Sequence, residues 1–293
     1  MTGGDTGIDA HLARWGLDPD GPVRRTPSSV LAPVRRHDVR LMLKIPLVEE
    51  ERRGGRLMAA WDGRGAAPVL ASAPDGALLL ARADDPGILV REASADGPGC
   101  DARDDDATRI LARAARGLHA VPLDPRVVVD AVPLDAWFRG LVDPARPLPA
   151  SLDRGAGVAR ELLGGSTASV VLHGDVHHGN VLRFDDADDW RAIDPKALVG
   201  DPVFDTANVL ANPTPGIALR PGRLERRARI VAEETGAEID AVLAWTEAWC
   251  ALSAAWDVHD AARGSRVAAM ARLGEVARAA RRGSRGSSGG SAA

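Results

Sequence analysis

A cluster of polar residues follows a short apolar run in the middle of the chain, in the segment VVLHGDVHHGN of residues 170–180. Besides three histidines, this segment contains Asp175 and Asn180. Zinc is ordinarily bound by imidazole and carboxylate groups, whereas magnesium prefers oxygen ligands alone, such as carboxylate and amide oxygens. The cluster is therefore compatible with zinc-dependent hydrolysis, with magnesium-dependent phosphoryl transfer, or with a polar turn that has no chemical role.

The other histidines and the cysteines disfavour zinc. A catalytic zinc ion normally has three protein ligands. The histidines outside the cluster form no second metal-binding pattern; they are His11, His37, His119 and His259. Cys100 and Cys250 have no C-x-x-C spacing, which argues against a thiolate zinc site and against a disulfide framework.

The residues downstream of the cluster favour phosphoryl transfer. Asn180 lies five residues after Asp175, and the segment AIDP places Asp194 at the end of a predicted strand, fourteen residues beyond Asn180. In a kinase-type site, one carboxylate orients a hydroxyl group and accepts its proton, while an amide and a second carboxylate hold Mg²⁺ against the nucleotide phosphates. Either residue type alone could simply shape a turn, but the complete set favours a kinase-type site.

Lysine is rare in this chain, because only two of its 37 basic residues are lysines, Lys44 and Lys196. Lys44 lies on a predicted strand that precedes a helix beginning with glutamates, as a phosphate-binding lysine does in kinases. A compact ammonium group is not interchangeable with a planar guanidinium. A surface lysine is the alternative for Lys44, and Lys196 could contact a phosphate or pair with Asp201.

The first 82 residues predict a small antiparallel sheet with one helix. The four candidate strands are Val30–Val34, Val39–Ile45, Pro68–Ala71 and Ala77–Ala81. The second strand roughly alternates polar and apolar residues, as a half-buried antiparallel strand does. The helix is predicted over Glu49–Trp61, since its acidic start suits the positive end of a helix dipole, although the Gly54-Gly55 pair disfavours a helix.

Residues 83–282 predict a mainly helical region, which makes the whole chain an α+β protein. Its candidate helices are Asp104–His119, Asp153–Leu163, Phe204–Ala211, Arg223–Thr235, Ile239–Arg263 and Val267–Arg281. Three short strands lie among them, at Val170–Leu172, Val181–Phe184 and Arg191–Ile193. The tail Gly283–Ala293 consists almost entirely of Gly, Ser and Ala and is predicted to be disordered.

Charge and hydropathy limit the kinds of partner that this protein could bind. A net charge of −4 argues against a nucleic-acid binder, which usually has a clustered basic face. The N-terminus has no signal-peptide pattern, and no apolar run approaches the roughly 18 residues of a membrane span. We expect a cytoplasmic monomer without nucleic-acid or membrane partners.

The segments HGDVHHGN and AIDPKALVGDPVFDTANVLANP resemble the aminoglycoside phosphotransferase superfamily, in particular its branch of streptomycin 6-phosphotransferases and hydroxyurea phosphotransferases. The resemblance runs from about Ser28 to Ala280. It implies a bilobal fold related to protein kinases, with ATP and Mg²⁺ as cofactors. It also implies that Asp175 is the catalytic base, that Asn180 and Asp194 bind the metal, and that Lys44 pairs with the nucleotide phosphates.

The resemblance implies transfer of the γ-phosphate of ATP to an aminoglycoside hydroxyl, with the 6-hydroxyl of streptomycin as the leading expectation. Hydroxyurea, another antibiotic or a hydroxylated metabolite is the alternative acceptor. A catalytically silent kinase-like binding module is disfavoured, because degenerate kinases typically lack one or more of the four residues that this chain retains.

The nucleotide site is expected to use further residues before the catalytic segment. Glu49, Glu50 and Glu51 are consecutive, and Glu51 is the favoured partner of Lys44. No glycine-rich loop precedes Lys44, so Ser28, Ser29 or backbone N–H groups are expected at the phosphates. Adenine is expected to bind the connector between the lobes, which comprises Leu80, Ala81, Arg82 and Ala83.

The acceptor site is expected to gather carboxylates, because streptomycin carries guanidinium groups that carboxylates bind well. The candidates are Glu247, Asp257 and Asp260, in the segment EAWCALSAAWDVHDAARG. In the alternative interpretation, Trp245, Trp249 and Trp256 are helix core and the acidic residues are solvated.

Two neighbours of the catalytic segment are expected to have structural roles. His173 should hydrogen-bond to backbone near the metal-binding carboxylate, and Asp201 should support the surrounding loop. Gly174 occupies the position at which many protein kinases have the arginine of H-R-D. Without this arginine, a phosphorylated activation loop lacks one of its usual partners, so we expect activity without prior phosphorylation of the enzyme.

Overall fold

The chain forms a small sheet lobe and a larger, mainly helical lobe, as an α+β protein. The computed structural model describes residues 6–145, 148–165, 169–185, 188–258 and 264–288. The small lobe contains α1 (Thr6–Trp15), β1 (Asp18–Pro19), β2 (Arg24–Arg25), β3 (Ser29–Arg36), β4 (Val39–Pro46), α2 (Glu49–Trp61), β5 (Val69–Ser72) and β6 (Leu78–Ala81).

One antiparallel sheet organises the small lobe, with the strand order β1-β3-β4-β6-β5 and with β2 paired to β3. Because side chains alternate between the two faces of a strand, β4 buries Leu41 and Leu43 on the face covered by α1. Met42 and Lys44 lie on the opposite face, which borders the second lobe. The four predicted strands and the helix are present. The ten-residue helix α1 was not predicted, and neither were β1 and β2, whose two residues each carry no detectable periodicity.

The large lobe contains most of the helices. Its elements are α3 (Ile88–Ser94), α4 (Cys100–His119), α5 (Pro125–Asp130), β7 (Val132–Pro133), α6 (Leu134–Val142), a short 3-10 helix (Ala150–Leu152), α7 (Asp153–Gly165), β8 (Val170–Leu172), β9 (Val181–Arg183), β10 (Trp190–Ala192), β11 (Leu198–Gly200), α8 (Phe204–Ala211), α9 (Pro215–Ala218), α10 (Arg223–Thr235), α11 (Ile239–Asp257) and α12 (Gly264–Ser288). In the described residues, no helix has both the length and the apolar character of a membrane span.

Two sequence predictions at the C-terminal end are corrected. The last helix continues to Ser288, so the prediction of a disordered tail from Gly283 is wrong for residues 283–288. An existing helix gains one hydrogen bond for each residue added, which favours extension even through Gly and Ser. Residues 289–293 lie outside the described part. The helix predicted from Ile239 ends at Asp257, and residues 259–263 of its predicted range are not described.

The core of the large lobe centres on α11, which is buried on nearly all sides. Trp245 of α11 is fully buried and packs against Phe138 of α6 and Phe204 of α8, with ring centroids 5.9 and 5.4 Å away. Such tilted and edge-to-face contacts are the favoured geometry of aromatic pairs. The cluster fixes α6 and α8 on α11 and thereby supports the segments beside the catalytic loop.

A short backbone pairing joins the lobes. The segment after α2 adds to the β9–β10 hairpin, because Ala67 donates an N–H to the carbonyl of Ala192 and Ala192 donates to the carbonyl of Gly65, both at 2.9 Å. Asp194 follows β10 directly. The pairing therefore sets the distance between α2 and the loop that carries Asp194.

Candidate active site

The loop between β8 and β9 holds the Asp175 carboxylate with two amide groups. The Asn180 side chain donates to the Asp175 carbonyl at 3.0 Å and to its Oδ2 at 3.2 Å. Asn208 of α8 donates to Asp175 Oδ1 at 2.6 Å. Burial raises the pKa of Asp175 to about 7, an effect that Lys196 opposes and the Asp194 charge reinforces. The carboxylate is therefore fixed in orientation and has a raised proton affinity.

Asp205 of α8 anchors the backbone of this loop. Its two carboxylate oxygens accept the N–H groups of His173 and Gly174 at 2.8 and 2.6 Å, and His119 of α4 contacts Oδ2 at 2.8 Å. Burial alone would raise the pKa of Asp205, but the hydrogen bond and charge of His119 leave it lowered. Neither Asp205 nor Asn208 was predicted from the sequence, although both occur in the segment FDTANVLANP that carried the family resemblance.

His173 has the structural role that the sequence predicted. Its ring Nε2 donates to the carbonyl of Ile193 at 2.8 Å, while Nδ1 accepts the N–H of Asp175 at 3.1 Å. The ring is fully buried, and burial lowers its pKa. A neutral His173 thus connects the catalytic loop to the residue that precedes Asp194.

Gly174 adopts a backbone conformation that excludes an arginine. Its φ angle is +83°, in the left-handed region that favours glycine. A Cβ atom at this position would lie 2.8 Å from Leu198 Cδ1 and 3.0 Å from Lys196 Cβ. The backbone at position 174 is therefore one that suits glycine and that an arginine could adopt only with strain.

Asn180 and Asp194 both line a cavity between the two lobes. Since the Asn180 NH₂ group binds Asp175, its carbonyl oxygen remains as a ligand. Burial would raise the pKa of Asp194, but the charge and hydrogen bond of Lys44 lower it to about 2, so the carboxylate is ionised. Two hard oxygen donors at one cavity fit Mg²⁺, which usually takes one or two protein ligands together with substrate phosphates. In the described residues, no group of three or more His, Cys, Asp or Glu side chains could hold a metal.

Lys44 of β4 bridges the two sides of this cavity. Its Nζ contacts both Glu51 Oε2 of α2 and Asp194 Oδ1. The neighbouring glutamates have other partners, since Glu49 pairs with Arg56 at 2.9 Å and Glu50 with Lys196 at 3.0 Å. Of the three consecutive glutamates, the structure thus brings Glu51 to Lys44.

Lys196 lies on the α2 side of the catalytic loop. Its Nζ is 3.0 Å from Glu50 Oε1 and 3.6 Å from Glu51 Oε1. Asp201 instead accepts the N–H of Val203 at 2.9 Å and the indole N–H of Trp245 at 3.1 Å, which is a supporting role. The suggested Lys196–Asp201 pair is therefore wrong, because Asp201 faces the core.

The two glycines that disfavoured a helix in the sequence explain how α2 reaches the site. A Cβ atom on Gly54 would overlap the carbonyl oxygen of Pro195, and one on Gly55 would lie 3.1 Å from Leu78 Cδ1. Glycine is the residue that permits such close approach of two backbones. Gly54 lets α2 lie directly against the loop after Asp194, which places Glu51 beside Lys44, while Gly55 leaves room for the Leu78 side chain of β6.

We expect Gly54→Ala to destabilise the protein, although alanine is the better helix former. The added methyl group overlaps a backbone carbonyl, and overpacking of this kind costs about 1–3 kcal/mol. Gly117→Ala in α4 is the matched control, because nothing lies within 4 Å of its Cβ position and alanine should stabilise the helix by about 0.5–1 kcal/mol. Urea unfolding of both variants measures the difference. Equal stabilisation by both changes would contradict the close approach.

The interlobe cavity has a volume of about 220 Å³. The connector residues Leu80, Ala81, Arg82 and Ala83 line it, together with Ser29, Met42, Met58, Phe184, Ile193 and the unpredicted Arg24. Ser28, which the sequence predicted at the phosphates together with Ser29, does not line the cavity. Thr26 closes this turn by accepting the N–H groups of Ser28 and Ser29, at 3.3 and 2.9 Å, and the Ser28 hydroxyl lies 3.4 Å from that of Thr26.

A second cavity of about 530 Å³ contains Asp175. Its lining residues are Glu50, Arg53, Val132, Ala136, Trp137, Gly174, Asp175, Lys196, Trp249 and Trp256. Asp175 and its neighbouring Gly174 thus face one cavity, whereas Asn180 and Asp194 face the other. This arrangement places a carboxylate of raised pKa where a hydroxyl group could meet a phosphate held between the lobes.

The carboxylates predicted for an acceptor site do not lie in this second cavity. Glu247 is buried against α7 and accepts from Arg154 Nε at 3.2 Å, in a separate small cavity. Asp257 is buried and accepts from Arg266 of α12. Because neighbouring helices cover α11 on several sides, these carboxylates pair with arginines of those helices. The third candidate, Asp260, lies outside the described residues.

Comparison with known proteins identifies the family. The sequence model of one protein family, the aminoglycoside/hydroxyurea antibiotic resistance kinases, matches residues 14–261. A streptomycin 3''-kinase of Klebsiella pneumoniae is 44% identical over 264 residues, covering 88% of this chain and 95% of the relative. A streptomycin 6-kinase of Streptomyces griseus is 32% identical over 275 residues, covering 87% and 84%.

A solved structure shows the same fold at much lower identity. A thermostable mutant of aminoglycoside phosphotransferase APH(4)-Ia, in a ternary complex with AMP-PNP and hygromycin B, aligns with a TM-score of 0.63 at 13% identity. The alignment covers 92% of this chain and 97% of that one. The expected bilobal, kinase-like fold is confirmed. The chain belongs to the aminoglycoside/hydroxyurea antibiotic resistance kinases, a family of phosphotransferases.

Proposed function

We propose that this protein transfers the γ-phosphate of ATP to a hydroxyl group of streptomycin. The observation that carries the proposal is the position of Asp175, whose carboxylate faces one cavity while its hydrogen-bond partner Asn180 lines the other, together with Asp194 and Lys44. The relatives at 44% and 32% identity are both streptomycin kinases, which supports this acceptor. The AMP-PNP bound in the distant fold relative supports ATP as the donor.

In the proposed reaction, Asp175 accepts the proton of the acceptor hydroxyl as its oxygen forms a bond to the γ-phosphorus. The bond between this phosphorus and the β,γ-bridging oxygen breaks, and ADP leaves. Lys44 offsets charge on the nucleotide phosphates, and Asn180 and Asp194 are the residues that hold Mg²⁺. When bound, Mg²⁺ neutralises charge on the phosphate oxygens. Most of the rate gain in such sites comes from positioning and electrostatics.

The residues divide between the lobes in the proposed mechanism. Residues 1–82 form the nucleotide-binding lobe, in which Glu51 orients Lys44 and Ser29 lies at the phosphate end of the cavity. The connector Leu80–Ala83 binds adenine through its backbone. Residues 83–282 carry Asp175 and the acceptor cavity, and the use of ATP is consistent with a cytoplasmic location.

The hydroxyl that receives the phosphate is part of the proposal. The family resemblance in the sequence suggested the 6-hydroxyl of streptomycin. The higher identity to a 3''-kinase than to a 6-kinase supports the 3''-hydroxyl instead. We propose phosphorylation at the 3'' position, with the 6 position as the alternative.

Incubation of the purified protein with MgATP and a set of acceptors tests the function. The set comprises streptomycin, hygromycin B, another aminoglycoside and hydroxyurea, and the product is detected by mass spectrometry. We expect streptomycin to gain one phosphoryl group, and phosphorus–proton correlation by NMR identifies the modified hydroxyl. Reactions without ATP are the control. Phosphorylation of hydroxyurea alone would support the alternative acceptor, and the absence of product from every acceptor would contradict the proposal.

A further inference from the structure

Three tryptophans form one wall of the cavity that contains Asp175. Trp137 comes from α6, and Trp249 and Trp256 come from α11. The ring of Trp256 is nearly perpendicular to both others, with centroids 5.5 Å from Trp137 at 81° and 5.4 Å from Trp249 at 79°. Three aromatic rings, one of them nearly perpendicular to the other two, thus border a space that also contains the proposed catalytic carboxylate.

One of these rings, that of Trp256, is much more exposed than a residue of the hydrophobic core. Trp256 is 47% exposed, whereas Trp245 on the same helix is fully buried. Trp249 is 6% exposed and is held from behind by Phe204, with ring centroids 6.0 Å apart. A large exposed aromatic ring beside a concave polar site is typical of a ligand-binding surface.

The charges around the cavity do not favour a polycation by themselves. The charged lining residues are two carboxylates, Glu50 and Asp175, and two cations, Arg53 and Lys196. Glu50 is already paired with Lys196 at 3.0 Å. Glu247 and Asp257, the carboxylates expected for a cationic acceptor, pair with arginines elsewhere. Among the described residues, the lining therefore has no excess of negative charge to bind a positively charged acceptor.

We propose that Trp137, Trp249 and Trp256 bind a cationic group of the acceptor, a guanidinium or an alkylammonium, through the faces of their rings. Aromatic faces attract cations, tryptophan most strongly, and guanidinium groups stack on them. The identity of the acceptor as streptomycin rests on the proposed function, whereas the affinity of the three rings for a cation does not. Among the described residues, this subsite supplies, in the cavity of Asp175, the attraction that the sequence predicted for Glu247 and Asp257.

Steady-state kinetics with the acceptor that is turned over give the first test. Trp256→Leu should raise KM for this acceptor about tenfold, since a cation–π contact in a partly desolvated site has roughly this effect. KM for ATP should stay unchanged, and Trp256→Phe should restore most of the affinity. Trp137→Leu is a second variant with the same expected direction. Trp15→Leu, in α1 of the small lobe, is the matched control and should leave both KM values unchanged.

An NMR titration tests the subsite without any turnover. The indole N–H signals of the seven tryptophans are recorded while methylguanidinium is added to the ADP-bound protein, and the three signals are assigned from Phe substitutions. We expect selective shifts of the Trp137, Trp249 and Trp256 signals with methylguanidinium and with methylammonium. The neutral isostere methylurea should cause none.

The two measurements separate failure of the subsite from failure of the proposed function. If no acceptor is phosphorylated but the three indole signals respond to the cations, the proposed function is wrong and the cation subsite stands. If streptomycin is phosphorylated while Trp256→Leu leaves its KM unchanged, the subsite is wrong. Equal shifts with methylurea, or shifts spread over all seven indoles, would also overturn the subsite.

Discussion

Asp175→Asn is expected to lower kcat for phosphoryl transfer by about 10³-fold, near the middle of the range for loss of a general base. The asparagine keeps the size of the side chain but cannot accept the hydroxyl proton. The asparagine has only one acceptor oxygen for the amide groups of Asn180 and Asn208, but Asn180 also donates to the backbone carbonyl of residue 175, so the loop should keep its conformation. KM for ATP should change little, because Lys44 and Asp194 are untouched.

Stability provides a second readout for the same variant. Burial and the nearby Asp194 charge raise the pKa of Asp175 to about 7, which means that folding disfavours its ionised form. Above pH 7 a neutral amide should therefore leave the melting temperature equal to or higher than that of the wild type. Asp106→Asn, which removes only a surface pair with Arg109, is the matched control for activity. Retention of more than a tenth of the wild-type kcat by Asp175→Asn would contradict its role as the base.

The catalytic segment could be predicted because its information is local. Asp175, Asn180 and Asp194 lie within 20 residues, on a loop and a hairpin whose turn signals are visible in the sequence. Lys44 is distant in sequence, yet its rarity and its place on a strand before an acidic helix identified it. The β4–α2 geometry then brings it to Asp194. Local spacing together with one long-range inference was thus sufficient to predict which residues lie together at the proposed nucleotide side of the site.

The acceptor side could not be predicted in the same way. Whether Glu247 faces a cavity or a neighbouring helix depends on the packing of α7 and α12 against α11, which the periodicity of α11 does not reveal because this helix is buried on nearly all sides. For the same reason, the sequence could not separate the buried Trp245 from the exposed Trp256. Asp205 was missed because its role is to hold backbone N–H groups of a loop 31 and 32 residues away in sequence.

Gly54 shows that helix propensity alone can misjudge the role of a residue. Glycine weakens an isolated helix by about 1 kcal/mol, which is why the Gly54-Gly55 pair disfavoured α2 in the sequence. Tertiary contact reverses this argument, since a side chain on Gly54 would overlap the Pro195 carbonyl. The helix persists because its other face packs Leu57, Met58 and Trp61 into the cores of the protein. A residue that weakens the isolated helix thus permits the close contact between α2 and the Pro195 carbonyl, which joins the lobes at the candidate active site.

Lys44→Met is expected to lower kcat/KM for ATP by about 10²–10³-fold, by analogy with removal of one charge-stabilising donor from a preorganised site. Lys44 Nζ lies between Glu51 and Asp194, so its loss removes the cation that faces the proposed phosphate position. Lys44→Arg should not restore activity. The planar guanidinium is larger than the ammonium group, and the lysine side chain is only 12% exposed between its two carboxylates.

Loss of folding in Lys44→Met would also lower kcat/KM for ATP. The contacts of Glu51 allow this cause to be distinguished from the loss of a phosphate-binding group. Lys196 lies 3.6 Å from Glu51 Oε1, so this buried carboxylate retains a neighbouring cation when Lys44 is replaced. We therefore expect Lys44→Met to keep a cooperative thermal transition while ATP binding measured by calorimetry is weakened. Arg52→Met on the same helix removes a half-buried cation that pairs with Glu49 at 3.7 Å and donates to the Asp75 carbonyl at 3.3 Å, and it should leave ATP affinity unchanged. Equal loss of ATP affinity in both variants would show that general charge, and not the position of Lys44, determines binding.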